Sequence, residues 1–301
     1  ALTFVASANP IRYLGAEPVF VDAAADGYHL DPLLLAEAIE SLLRAGRRPK
    51  AVILVHLYGL PAPMDKLMRV CQRYGLPVLE DAAEALGARY QGEAAGTFGT
   101  MGVFSFNGNK IITTSGGGAL LGRDAELIEQ GRRLAAHARL PAPHYEHAEL
   151  GYNYRMSNLL AALGSSQFAQ LEERVTKRRR INAFYRSRLA GLPGVSFPRE
   201  RPDCRATFWL TTFHIDADQS PVSATEVLRA LEAENIDARP VWKPLHTQPL
   251  FEGCQFFTGA AGVSHAEGYA RTGICLPSGS GLDEATLERI TGVIRRCFET
   301  S

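Results

Sequence analysis

Along the first 125 residues, short apolar runs alternate with longer stretches in which apolar residues recur every three or four positions. The runs "PVFVD" (18–22), "AVILVHL" (51–57), "PVLED" (77–81), "GTMGVFSF" (99–106) and "GGGALLG" (116–122) read as strands. "DPLLLAEAIESLLRAG" (31–46) reads as a helix, with Asp31 as its cap, Pro32 in the first turn and Gly46 as its stop. "PMDKLMRVCQRYG" (63–75) has the same periodicity. Apolar strands alternating with amphipathic helices predict an α/β fold, with a mostly parallel sheet covered by helices on both faces. Such sheets bind ligands where their strands end at the carboxyl edge, and Asp81 stands at such an end.

The pattern then changes. Residues 158–189 read as one long helix, with Leu159, Leu160, Leu163, Phe168, Leu171 and Val175 as its apolar positions. "AGLPGVSFPRERPDC" (190–204) is rich in Pro and Gly and predicts a hinge. Beyond it come a strand, "RATFWLTTFHI", a helix from Ala224 to Asn235 and a closing helix after Asp283. The expected organisation is a large unit, 1–189, and a smaller C-terminal α+β unit, 190–301.

Composition narrows the function. Lys+Arg and Asp+Glu both number 32, so no net field favours nucleic acid or an acidic membrane. The basic run 177–180 falls in helical sequence and predicts a solvated helix face. The 5 cysteines are scattered without CxxC spacing, which fits a reducing compartment, small buried thiols and no metal site. No apolar run is long enough to span a membrane, and no basic-then-apolar leader opens the chain. The expectation is a cytoplasmic protein.

The candidate chemistry centres on "FSFNGNKIITTSGGGALL" (104–121). Lys110 follows a strand-like run and stands among small residues and amides. With Asp81 at a strand end and the hydroxyl of Ser105 in the strand before the lysine, it makes the set that pyridoxal phosphate needs: an amine for the cofactor aldehyde, a carboxylate for the ring nitrogen and a hydroxyl for the phosphate. Asn107 and Asn109 predict neutral surroundings that favour a free amine. Each residue alone has an ordinary reading: a strand-end Asp can be a structural acceptor, and a lysine near glycines can be a plain phosphate-binding cation. A nucleotide P-loop is excluded, because Asn109-Lys110-Ile111 lacks the Gly before and the Ser/Thr after the lysine. A GxGxxG fingerprint near the N-terminus is also missing, which argues against a nicotinamide dehydrogenase.

Six blocks in one order carry a resemblance over nearly the whole chain: "ALTFVASANPIRYLGAEPVFVD", "VHLYGLPAPMD", "EDAAEALGARYQG", "FSFNGNKIITTSGGGAL", "LGYNYRMSN" and "RPVWKPLHTQPLF". Together they resemble the DegT/DnrJ/EryC1/StrS sugar aminotransferases, fold type I enzymes that use pyridoxal 5'-phosphate. "FSFNGNK" and "WKPLH" are most similar to members that aminate a nucleotide-linked 4-keto-6-deoxy sugar for bacillosamine- or legionaminic-type precursors and exopolysaccharide. The resemblance implies that Lys110 bonds the cofactor and that Asp81 partners its ring nitrogen. It puts Glu84 near the ring hydroxyl, Ser105 at the phosphate and Phe4 stacked on the ring. Asn153 of "GYNYR" would reach the phosphate of a neighbouring subunit in a homodimer. Trp242, Lys243 and His246 would line the sugar-nucleotide site, with the hydroxyl of Tyr58 near the substrate. Phe4, His246 and Tyr58 could equally be interior packing, and Asn153 a turn amide.

Some relatives that dehydrate sugars carry histidine at the lysine position. Retention of Lys110 favours transamination, with glutamate as the usual donor in the family. The resemblance also implies that several tens of residues precede "ALTFVAS" in relatives, including a phosphate-binding helix start and part of the dimer surface. The expectation is a fragment of a longer protein, since the downstream chemical residues are intact. The competing expectation is a shortened, catalytically weak paralogue that acts as a partner subunit.

Overall fold

The structure is a computed structural model that describes residues 1–259 and 262–299. Its first half is built as the alternation predicts: helix α1 (Pro32–Arg44), strand β1 (Val52–Val55), helix α2 (Met64–Arg73), strands β2 (Val78–Asp81), β3 (Met101–Ser105) and β4 (Gly118–Gly122), and helix α3 (Ala125–Ala135). Asp31 caps α1 by accepting the N–H groups of Leu33 and Leu34, which satisfies donors that a helix start leaves unpaired. Leu34, Leu35, Ala38, Ile39 and Leu42 bury one face of α1. Leu35 and Ile39 share a core with Val52 and Leu54 of β1, Leu67 and Cys71 of α2, and Val78 of β2. Burial of each such aliphatic side chain contributes about 1.5–3 kcal/mol.

The sheet order is β1-β2-β3-β4. The first three strands are parallel, and β4 runs antiparallel to β3. A Cβ on Gly118 would lie 2.3 Å from the Phe104 carbonyl oxygen, so only glycine lets β4 start this close to β3. On β3 and β4, Val103 and Leu120 are exposed.

The expected single helix over 158–189 is two: α4 (Asn158–Phe168) and α5 (Leu171–Leu189), parted at Ala169–Gln170. Neither residue is a strong helix breaker, so periodicity alone could not find the joint. The break changes what the apolar stripe meets. Leu159, Leu163 and Phe168 are exposed on α4, whereas Leu171 and Val175 of α5 pack with Leu57 and Tyr58. The basic run is also only partly solvated. Arg178, 7% exposed, donates to the Trp209 carbonyl, and Arg179 pairs with Glu200. Four consecutive helical residues point in four directions, so some must face inward.

The C-terminal part contains β5 (Val195–Ser196), β6 (Thr211–Ile215), α6 (Ala224–Ala233), β7 (Arg239–Pro240), α7 (His265–Thr272), β8 (Gly273–Leu276) and α8 (Glu284–Glu299). Its antiparallel sheet has the order β7-β8-β6-β5. Ile181, Tyr185 and Leu189 of α5 join Phe213, Val227, Leu231, Ile274, Ile290 and Ile294 in one apolar cluster. Ser223 and Glu226 form a reciprocal capping box at the start of α6.

The two halves are stitched together. Phe20–Val21 pairs in parallel with Phe256–Phe257. Asp22, fully buried, accepts the N–H groups of His265 and Ala266 at the start of α7. The tract read as a hinge is held too: Cys204–Arg205 pairs with Arg89–Tyr90. All five cysteines are free thiols; Cys71 and Cys275 are buried, and the other three are half-buried. Among the described residues, no helix is long and apolar enough to cross a membrane.

Candidate active site

The parallel register sets the site. Asp81 ends β2 opposite Val103 of β3, and Ser105 closes β3 two residues later. The turn after β3, in which Lys110 N–H donates to the Asn107 carbonyl, then delivers Lys110 above the same carboxyl edge. Lys110 is only 13% exposed in its side chain, and its Nζ lies 3.3 Å from Glu84 Oε1. The Trp209 ring lies under the ammonium, with its centroid 4.2 Å from Nζ. The sequence predicted neutral amides around this lysine. The structure supplies a carboxylate instead, because the Ala82–Gly87 turn folds back over the strand end.

Glu84 is 6% exposed, and its Oε2 accepts the Tyr58 N–H at 2.7 Å. Burial raises its pKa to about 7; Lys110 and the Tyr58 N–H oppose that rise, and nearby Asp81 adds to it. Asp81 is held differently. Its Oδ2 accepts the Ser7 hydroxyl at 2.6 Å, and its Oδ1 accepts the Ala83 N–H at 3.1 Å. Ser7 is in turn 2.8 Å from the Thr3 hydroxyl.

Behind Asp81 lies a closed pair, His56 and Glu80, both fully buried. Glu80 Oε2 is 2.9 Å from His56 Nε2, and the carboxylate also accepts N–H groups from Gly96, Phe98 and Gly99. His56 Nδ1 accepts the Ala62 N–H, so Nε2 carries the ring proton and donates it to Glu80. Burial raises the Glu80 pKa, but His56 and the backbone donors outweigh it and leave it lowered.

Tyr58 is fully buried, with φ 55. Its neighbour must be glycine, since a Cβ on Gly59 would lie 2.1 Å from Thr207 Oγ1. The Tyr58 hydroxyl accepts the Trp242 N–H at 3.1 Å, and the ring packs between Trp209 and Trp242. The sequence left this hydroxyl two readings, near the substrate or within interior packing. Here it is a support under the Trp242 main chain.

A cavity of about 640 Å³ reaches Asn109, the residue before the lysine, and Trp209, whose ring lies under it. Phe4, Trp242, Arg239 and Arg289 also line it. Phe4 is 56% exposed, its ring 5.3 Å from that of Trp242. Lys243 is exposed. His246 instead stacks on Phe256 at 3.6 Å and places Nε2 3.0 Å from Glu267, while its buried Nδ1 lacks a partner. The Ser105 hydroxyl accepts the Asn107 N–H. Asn153 is exposed, and its backbone bridges to Ala136.

The structure thus gathers Lys110, Asp81, Glu84 and Ser105 at one sheet edge, with Phe4 and Trp242 at the adjoining cavity. It adds Ser7 and Trp209, which sequence reading missed. Ser7 meets Asp81 across 74 residues, and the Trp209 indole N–H reaches the Asn109 carbonyl across 100. Local pattern carries no signal for either.

Comparison with known proteins is decisive at this point: residues 1–295 match the DegT/DnrJ/EryC1/StrS aminotransferase family. The chain belongs to that family. It is 49% identical over 300 residues to the EpsN protein of Bacillus subtilis, whose name describes a pyridoxal phosphate-dependent aminotransferase; the match covers 100% of this chain and 76% of EpsN. It is 36% identical over 295 residues to the GDP-perosamine synthase of Caulobacter vibrioides, covering 98% and 76%. Among solved structures, a family aminotransferase from Brucella abortus superposes with a TM-score of 0.90 at 31% identity, covering 99% of this chain and 78% of that one. DesV of S. venezuelae, in complex with a ketimine intermediate, superposes at 0.86 with 33% identity, covering 99% and 76%. The fold is that of the fold type I aminotransferases.

The site suits pyridoxal 5'-phosphate. A shielded amine, an anchored carboxylate on the neighbouring strand end and aromatic faces beside an open cavity are the donor set that such a ring needs.

Proposed function

We propose that this aminotransferase moves an amino group from glutamate to a nucleotide-linked 4-keto-6-deoxy sugar, in the assembly of a cell-surface glycan or exopolysaccharide. The observation that carries the reading is Lys110, shielded at the carboxyl edge one strand from an anchored Asp81. The nucleotide-sugar name of the Caulobacter relative supports the substrate class. When bound, pyridoxal phosphate supplies the electron sink and carries the nitrogen between the two half-reactions. The residues do the rest. Lys110 would hold the cofactor through its aldehyde carbon and move a proton at the substrate carbon. Asp81 would keep a proton on the ring nitrogen, and the bond from Ser7 fixes the carboxylate that would do so. Ser105 would meet the phosphate, Phe4 would cover the ring and Glu84 would stand by the ring hydroxyl. Trp242 and Lys243 bind the sugar nucleotide, Tyr58 supports Trp242 from below, and His246 shapes the segment that carries them. Residues 1–189 serve the cofactor and 190–301 form the smaller unit.

The decisive experiment compares Lys110→Ala and Lys110→Arg. Both should abolish amino transfer to UDP-, GDP- and dTDP-linked 4-keto sugars, because a guanidinium keeps the charge but cannot bond the aldehyde. Rescue by arginine would make Lys110 a plain phosphate anchor and end the aminotransferase reading.

The same reading makes the protein a cytoplasmic homodimer in which Asn153 serves the neighbour's phosphate. Leu150, Tyr154, Leu159 and Phe168, all exposed beside Asn153 or on the helix after it, support that face as the contact. Sedimentation should give a dimer; a fully active monomer would remove the proposal.

A further inference from the structure

Resting on that reading of Lys110, we propose that Glu84 is the internal base that receives the proton Lys110 sheds whenever its amine must act. The geometry leaves the proton few destinations. Lys110 Nζ has Glu84 Oε1 at 3.3 Å and the Trp209 ring at 4.2 Å. Glu84 cannot swing away easily, because its second oxygen holds the Tyr58 N–H. That N–H belongs to a left-handed residue, and the Gly59 that follows it packs so closely on Thr207 that no Cβ would fit.

The other ionisable groups facing Glu84 are poorer acceptors. Asp81, on the same turn, already takes hydrogen bonds on both oxygens from Ser7 and Ala83. Cys275 approaches from β8, but burial pushes its thiol up to about 12, so it stays neutral. Tyr58 offers Glu84 only a main-chain donor.

The step balances within the pair. One N–H bond of the Lys110 ammonium breaks, its electrons stay on nitrogen as the lone pair, and the proton forms an O–H bond on Glu84 Oε1. The reverse transfer restores the ammonium. Ammonium plus carboxylate becomes amine plus carboxylic acid, so no charge is created in the shielded site and no water is needed. The buried Glu84 carboxyl, pushed up to about 7, is matched to this exchange. Glu84 would be the site's proton store.

A proton shared by two groups has a signature. Between their two apparent pKa values, the fraction of molecules with a free amine does not depend on pH. The test uses the cofactor-free full chain and formaldehyde with cyanoborohydride as a small uncharged probe, with methylation of Lys110 followed by mass spectrometry. In the wild type the rate should hold a plateau over about two pH units above neutrality, whereas in Glu84→Gln it should climb about tenfold per pH unit. Infrared difference spectra should show a protonated-carboxyl carbonyl band that titrates near neutrality and is absent from the variant. A wild-type rate as steep as a solitary lysine's, or no such band, would overturn the proposal. If Glu84→Gln does not fold, the wild-type profile and band decide alone. Neither readout depends on sugar turnover. A plateau without transamination would therefore overturn the aminotransferase reading, and transamination without a plateau this one.

Discussion

Glu80 and Glu84 are both almost fully buried, one on each side of the end of β2, yet they are held in opposite ways. Glu80 is saturated: three backbone N–H groups and one imidazole N–H converge on it, and its pKa is lowered. Glu84 has one backbone N–H and one amine, and its pKa is raised to about 7. Burial does not decide ionisation here. The number of donors aimed at the carboxylate decides it. The saturated acid is a strut, and the undersupplied acid is free to exchange a proton. Asp81 lies between them in sequence; it is half-buried, and its two donors are the Ser7 hydroxyl and the Ala83 N–H.

The largest expected effect falls on that middle acid. Asp81→Asn keeps the volume but cannot hold a ring nitrogen protonated, so turnover should drop by several powers of ten, on the order of 4 kcal/mol or more. Cofactor binding, followed by absorbance, should persist. Turnover within a few-fold of wild type would reduce Asp81 to a structural acceptor.

The two glutamates should separate next in stability. Glu80→Gln puts an amide N–H₂ where backbone donors converge and should cost about 3 kcal/mol in urea unfolding. Glu84→Gln keeps an oxygen for the Tyr58 N–H and should cost about 1 kcal/mol or less. Equal losses would mean that both carboxylates are struts.

The smallest effect is a slope with pH. Glu80 has a lowered folded pKa, so its contribution is present above the unfolded carboxylate range and fades as pH falls through the folded value. Glu84 has a raised one, so its contribution is fully present below pH 4.5 and is lost as pH rises through about 7. The stability difference between wild type and Glu84→Gln should therefore move against the wild type across that window, as urea midpoints at several pH values would record. A flat difference would mean that Glu84 does not titrate there.

Much of the scaffold was legible because it is local. The Asp31 cap, the apolar face of α1 and the short strands are written in spacings of two to four residues. Asp81, Ser105 and Lys110 were legible because they sit at strand ends, and the family likeness gave them roles. What stayed hidden depends on tertiary closure. The Glu84 partner of Lys110 requires a turn to fold back by 26 residues of sequence, and Trp209 comes from 100 residues away. The joint between α4 and α5 has no breaker residue, and burial of Arg178 follows from where Trp209 lies. For His246 the motif left two readings open, and only the fold shows its stacking on Phe256.

The pairing of Phe20–Val21 with Phe256–Phe257, and the bond from Thr258 to Asp22 across 236 residues, also carry a consequence for how the chain is made. Contacts this distant in sequence are slow to form, because a long loop must close before any of its contacts stabilise it. A nascent chain can assemble β1 to β4 early, but Lys110 lacks its indole floor until Trp209 has left the ribosome, and the edge of Phe20–Val21 stays unpaired until residue 257 has. That interval leaves an open β-edge in an apolar stretch. Deletions near Phe256 should therefore show first as aggregation during synthesis, even where every residue at the sheet edge is intact.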